Sequence, residues 1–153
     1  MILFDIDGVC VDFYGTAKKF GIELELNVFD KWKWGTDGYP TPEEFYAVAK
    51  RQKWLTELGC DFYHEDACFI TNDFLDIKEE WFEKHNQRII SLFNYEAKDK
   101  SKICLNPIDL LVDDNPNECE RWRIRGGIAY WFNLAEKDPY KKFLKWWKLG
   151  GTK

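Results

Sequence analysis

Asp5 and Asp7 stand two residues apart in ILFDIDGV, where an apolar run gives way to Gly8. Thr71 closes the run ACFIT, Asp113 and Asp114 close IDLLVDD, and Lys78 follows Thr71 in a charged stretch. In an extended segment successive side chains alternate between faces, so Asp5 and Asp7 leave on the same side. Four carboxylates, a hydroxyl and one cation brought together repel unless a counter-charge joins them. A hard divalent cation such as Mg2+ suits oxygen ligands. A metal, a lysine, a hydroxyl and free loop amides together suit a phosphoryl group.

The elements that carry these residues alternate in type. Residues 2–6, 67–71 and 108–114 are short apolar runs with polar ends, the pattern of buried parallel strands. Residues 127–132 form a fourth candidate strand, and RIISLF at 88–93 reads equally as a strand or a helix end. TPEEFYAVAKRQKWL predicts a helix capped by Thr41 with Pro42 in its first turn. DIKEEWFEKHNQRI and NPNECERWRIR predict two more, the second starting at residues 115–117, and KKFLKWWKLGG a closing helix with a frayed tail. Asp12 reads as a helix cap or a salt-bridging group rather than a catalyst. Strand–helix alternation implies an α/β fold with a mainly parallel sheet, its ligand beyond the carboxyl ends of the strands. The interval before ACFIT is far longer than one crossover needs. Residues 15–58 are therefore predicted to form an inserted helical cap, with 1–14 and 59–153 as the core.

The 153 residues allow one domain with a real core. A net charge of −5 argues against non-specific nucleic-acid binding. Five scattered cysteines without a CxxC pair fit reduced thiols, and no apolar run reaches the roughly 20 residues of a membrane span. A cytoplasmic protein is the expectation, with no membrane partner. A homodimer is left open.

FDIDGVCVDF, FITND, Lys78 and LLVDDNPNE resemble, in order, the four motifs of the haloacid dehalogenase-like hydrolases. Within that superfamily the chain is most similar to the 5'(3')-deoxyribonucleotidases. They share the DIDGVxxDF opening, a cap with tryptophans, and a lysine three residues before a tryptophan, as in Lys78 and Trp81. Their motif II threonine is followed by a small residue, where this chain has Asn72 and Asp73.

The resemblance implies a Rossmannoid three-layer α/β/α fold with a C1-type helical cap, and a Mg2+-dependent phosphomonoester hydrolase. Asp5 would be the nucleophile and Asp7 the acid/base. Metal ligands would come from Asp5, Asp113, Asp114 and the Asp7 backbone carbonyl. Thr71, Lys78 and the Asn72 amide would hold the phosphoryl group, with Gly8 allowing the loop to approach. Lys98, Lys100 and Lys102 compete with Lys78 for the phosphate. Cap aromatics Trp32, Trp34, Phe45 and Trp54, with Phe29 and Tyr46, either stack on a nucleobase or pack the cap. The expected substrate is a small phosphorylated metabolite, a deoxyribonucleoside monophosphate above others. Phosphorylated nucleic-acid ends, or a binding role with little turnover, stand as alternatives; the charge of Asp73 is what keeps the last open.

Overall fold

A computed structural model describes residues 1–26, 32–85 and 94–151. Five parallel strands form the sheet: β1 (Ile2–Asp5), β4 (Ala67–Thr71), β5 (Tyr95–Glu96), β6 (Leu110–Asp113) and β7 (Ile128–Trp131), in the order β5-β4-β1-β6-β7. β1 is central, with Phe4 opposite Phe69 on one side and Val112 on the other. The four expected strands are present within a residue or two of their predicted limits. β5, only two residues long, has no periodic pattern to betray it. RIISLF lies outside the described residues.

Alternation along β1 divides the core into two layers. Ile2 and Phe4 join a large cluster with Leu55, Phe62, Trp81 and Phe143, whereas Leu3 faces a smaller one with Ile70, Cys119 and Trp122. The first layer is supplied by α3 (Leu55–Asp61), α4 (Leu75–Lys84) and α6 (Pro139–Lys148), the second by α5 (Pro116–Ile124). Trp81 and Phe82 of α4 are fully buried, Phe82 stacking on Phe69 at 4.6 Å. Truncating such a ring to alanine removes about 3–5 kcal/mol.

The helix starts follow local chemistry. Asp12 caps α1 (Phe13–Lys19) by accepting from the Gly15 amide, as expected. Thr41 and Glu44 form a reciprocal capping box at α2 (Pro42–Val48). Asn115 caps α5, with Pro116 in its first turn. α4 lacks a cap from its own chain neighbour; Glu96 of β5 accepts from the Leu75 amide instead, at 2.9 Å.

The predicted helix over 41–55 is in fact broken. α2 stops at Val48, and β3 (Lys50–Arg51) pairs antiparallel with β2 (Val11–Asp12). Gln52 then binds the loop after β1 twice, its amide to the Cys10 carbonyl and its side chain to the Gly8 carbonyl. These backbone partners outweigh the helical pattern of the segment. The anticipated cap limit at residue 58 falls inside α3, whose Leu55 and Leu58 belong to the same buried cluster as Phe4. Among the described residues no helix is long and apolar enough to cross a membrane.

Candidate active site

The carboxyl ends of β1, β4 and β6 lie side by side and bring Asp5, Thr71 and Asp113 to one edge of the sheet. Between Asp5 and Asp113 sits the Lys100 ammonium, 2.6 Å from Asp5 Oδ1 and 2.7 Å from Asp113 Oδ2. Lys100 belongs to a short 3-10 turn, Lys100–Ile103, and is 1% exposed. The second Asp113 oxygen accepts from the Asn115 amide at 2.9 Å. Asp114 is also buried, with a carboxylate oxygen within 4.8 Å of Asp5 and Asp113. Gly8, at φ +89°, makes room for it: a Cβ there would stand 2.3 Å from Asp114 Oδ2.

One ammonium cannot balance three buried carboxyls. Burial, then the nearby Asp113, pushes the Asp5 carboxyl up to about 7 although Lys100 pulls the other way. Burial, with Asp5 and Asp113 beside it, likewise holds Asp114 well above the usual carboxylate range. Burial alone would lower Lys100, yet Asp113 and Asp5 outweigh it and keep the ammonium above its ordinary value. Asp5, Asp113 and Asp114 can each place one oxygen within 4.8 Å of the others. A buried, oxygen-only donor set with excess negative charge fits a hard divalent cation such as Mg2+. Glu118, in the first turn of α5, adds an observation the sequence reading missed. Its Oε1 pairs with Arg121, while Oε2 is buried with no partner among the described residues, on the wall of the same cleft. Its place in the first turn of the helix that follows Asp113 and Asp114 was the available signal.

Asp7 is held apart from this cluster. Tyr46 of α2 donates its hydroxyl to Asp7 Oδ1 at 2.6 Å, and Lys78 of α4 donates to Oδ2 at 2.8 Å. Lys78 also contacts Thr71 Oγ1 at 2.6 Å and Asp73 Oδ1 at 3.0 Å. Its ammonium therefore has three oxygen partners, and none of them is Asp5. Neither Lys78 nor Thr71 lines the cleft, whereas Lys100 does. Of the competing lysines, Lys100 is the one that touches Asp5; Lys98 and Lys102 are exposed. The Asp7 carboxylate is not part of the metal-ligand cluster, which leaves its backbone carbonyl for the role expected of it.

Asn72 and Asp73 have local partners. Asn72 donates its side-chain amide to the carbonyls of Ala97 and Lys98, at 3.2 and 3.1 Å, tying down the segment that leads to Lys100. Asp73 forms an ion pair with Lys78, so its charge does not stand alone beside the cleft.

The cleft has a volume of about 240 Å³. Phe13, Tyr14, Leu24, Trp32 and Trp34 form its apolar wall opposite the acidic floor. Trp32 and Trp34 meet edge to face at 5.3 Å, and Phe74, in a left-handed conformation at φ 53°, sets its ring against Trp34 at 5.7 Å. The other two proposed cap aromatics are elsewhere. Phe45 is fully buried behind the wall, packed on Phe13 and Trp34. Trp54 donates to the Val9 carbonyl and packs against Phe132, away from the acidic floor. Phe29 lies outside the described residues. A larger groove, about 1090 Å³, runs past Trp54 and lysines 141, 145 and 148 of α6, but contains none of the acidic strand ends.

No protein-family model matches the chain, and no curated protein matches it. Among solved structures it is similar to a conserved haloacid dehalogenase-like protein of unknown function from Agrobacterium tumefaciens str. C58. The identity is 16%, over 84% of this chain and 80% of that one, with a TM-score of 0.54. The strand order, the acidic strand ends and this likeness agree on one conclusion: the chain has the haloacid dehalogenase-like fold, a Rossmannoid α/β/α core carrying helices inserted after its first strand.

Proposed function

We propose that the protein is a divalent-metal-dependent phosphomonoester hydrolase acting through an aspartyl-phosphate on Asp5. The observation that carries the reading is Lys100 bridging Asp5 and Asp113 on the floor of a cleft shared with Asp7. A cation held by Asp5, Asp113 and Asp114, with the Asp7 carbonyl and the free Glu118 oxygen nearby, would supply charge neutralisation for the phosphoryl oxygens. Lys100 keeps Asp5 in place and offers positive charge to the incoming group.

In the first half-reaction an Asp5 oxygen attacks phosphorus and the ester P–O bond breaks. Asp7, protonated once the substrate is bound, gives that proton to the departing oxygen, which leaves as an alcohol. In the second half, water attacks phosphorus and passes a proton to Asp7. The bond from phosphorus to Asp5 breaks, releasing inorganic phosphate and restoring both side chains. The net change is one ester and one water converted to one alcohol and one phosphate.

The substrate we favour is a deoxyribonucleoside monophosphate. A 240 Å³ cleft is below the roughly 300–1,000 Å³ of sites that enclose a drug-sized ligand. In this reading the phosphate faces the acidic floor and the base lies against the Trp32 and Trp34 wall of the same cleft. Phosphate release from 5'- and 3'-deoxynucleotides and small sugar phosphates, with Mg2+ and with chelator, tests the proposal. Turnover that needs the metal and vanishes in Asp5→Asn supports it. No turnover across the panel overturns it.

A further inference from the structure

Both oxygens of Asp7 are occupied, one by a cap residue and one by a core residue. Tyr46, on α2 of the inserted segment, is 3% exposed and reaches Oδ1; Lys78, on α4 of the core, is fully buried and reaches Oδ2. The Lys78 ammonium also lies 5.4 Å from the centre of the Tyr46 ring, so the two donors brace each other through a cation–π contact. Around them, Trp81 of α4 donates to the Ala49 carbonyl just beyond α2, and Trp34 tilts against the Tyr46 ring at 6.1 Å. Asp73 and Thr71 hold the far side of Lys78. The Asp7 carboxylate is therefore oriented from two directions by side chains that are themselves fixed.

We propose that Tyr46 is the positioning residue for Asp7, its hydroxyl setting the plane of that carboxyl so that the proton it exchanges meets the leaving oxygen. The assignment rests on the phosphatase reading given above. It makes proton delivery depend on a residue of the inserted segment, whereas nucleophile placement depends on Lys100 in the core. The two halves of the chemistry are served by separate lysine-centred clamps, with Tyr46 belonging to one of them alone. Tyr46 lines neither the acidic floor nor the aromatic wall, so it acts through Asp7 and not by touching substrate.

The test compares two phosphomonoesters that differ in how much they need a proton. A p-nitrophenyl ester releases a stable anion unaided, whereas a simple alkyl ester must be protonated as it leaves. In Tyr46→Phe, which removes one oxygen and keeps the ring, kcat on the alkyl ester falls about 10–100-fold, part of the range general acids supply. The fall on the aryl ester is at least tenfold smaller, and KM for both stays within about threefold. In an Asp7→Asn background the same change has no further effect on the alkyl ester, because Tyr46 acts through Asp7. Equal losses on both esters, or additive losses in the double variant, overturn the assignment while leaving the phosphatase reading intact. Absence of turnover by the wild-type protein on either ester overturns both.

Discussion

Lys100 Nζ lies 2.6 Å from Asp5 Oδ1 and is almost completely shielded from water. The contact joins the first strand to a turn close to the start of β6 and holds together the two acidic strand ends on which the proposed chemistry depends. Removing the ammonium leaves Asp5 and Asp113 buried without their shared counter-charge. Breaking such a pair typically costs about 3–5 kcal/mol. Lys100→Met is expected to lower the melting temperature by roughly 6–20 °C, at about 2–4 °C per kcal/mol for a chain of this size. Thermal denaturation by circular dichroism measures it. A change under 2 °C (roughly 1 kcal/mol or less) would show that the pair contributes little.

Asp5 sets a pH dependence of stability. Its folded value of about 7 lies above the ordinary 3.8, so between these values the folded state binds the proton more tightly. The stability this provides is complete below about 3.8 and is lost as pH rises through 7. Asp5→Asn mimics the neutral carboxyl. In chelator it should melt higher than the wild type at pH 8, by about 1–4 kcal/mol in stability. At pH 5 the difference should shrink. A gap that is the same at both pH values contradicts the assignment of the strain to Asp5.

Metal should relieve the same repulsion. Millimolar Mg2+ at pH 8 is expected to raise the wild-type melting temperature, because a ligand at 100 times its Kd adds about 2.7 kcal/mol to a protein that binds it only when folded. Asp113→Asn should lose most of that increment. Differential scanning fluorimetry with Mg2+ and with Ca2+ reads both arms without any need for turnover. An unchanged increment in Asp113→Asn would place the ion elsewhere.

Gly8→Ala should damage the site with little effect on the sheet. Its methyl group would fall 2.3 Å from Asp114 Oδ2, and φ of +89° is unfavourable for alanine. Expected are a stability loss of roughly 1–3 kcal/mol and a fall in phosphatase rate of at least tenfold. Denaturant unfolding and the phosphate-release assay together check this.

The legible parts were those in which local pattern and final environment coincide. β1, β4 and β6 are buried on both faces, so each had to be an apolar run, and an acid at the end of such a run has few places to be except the sheet's edge. Asp5, Thr71 and Asp113 follow from that. The caps at Asp12 and Thr41 were equally visible, because their hydrogen bonds reach only three residues along the chain. The break after Val48 was hidden, since the groups that end α2 belong to the loop after β1, some forty residues earlier.

Lysine choice shows the limit most clearly. Lys78 and Lys100 are alike as residues, and each stands a short way along the chain from a polar strand end, Thr71 for one and Asp113 for the other. The residue types, strand ends and caps were determined by the sequence itself, because they rest on alternation and near-neighbour hydrogen bonds. Which lysine meets Asp5 and which meets Asp7, and that Tyr46 closes on Asp7 while Trp54 turns away to the core, were decided only by tertiary structure. These contacts join residues 39 to 95 positions apart, and a long side chain's destination depends on the surfaces packed around it.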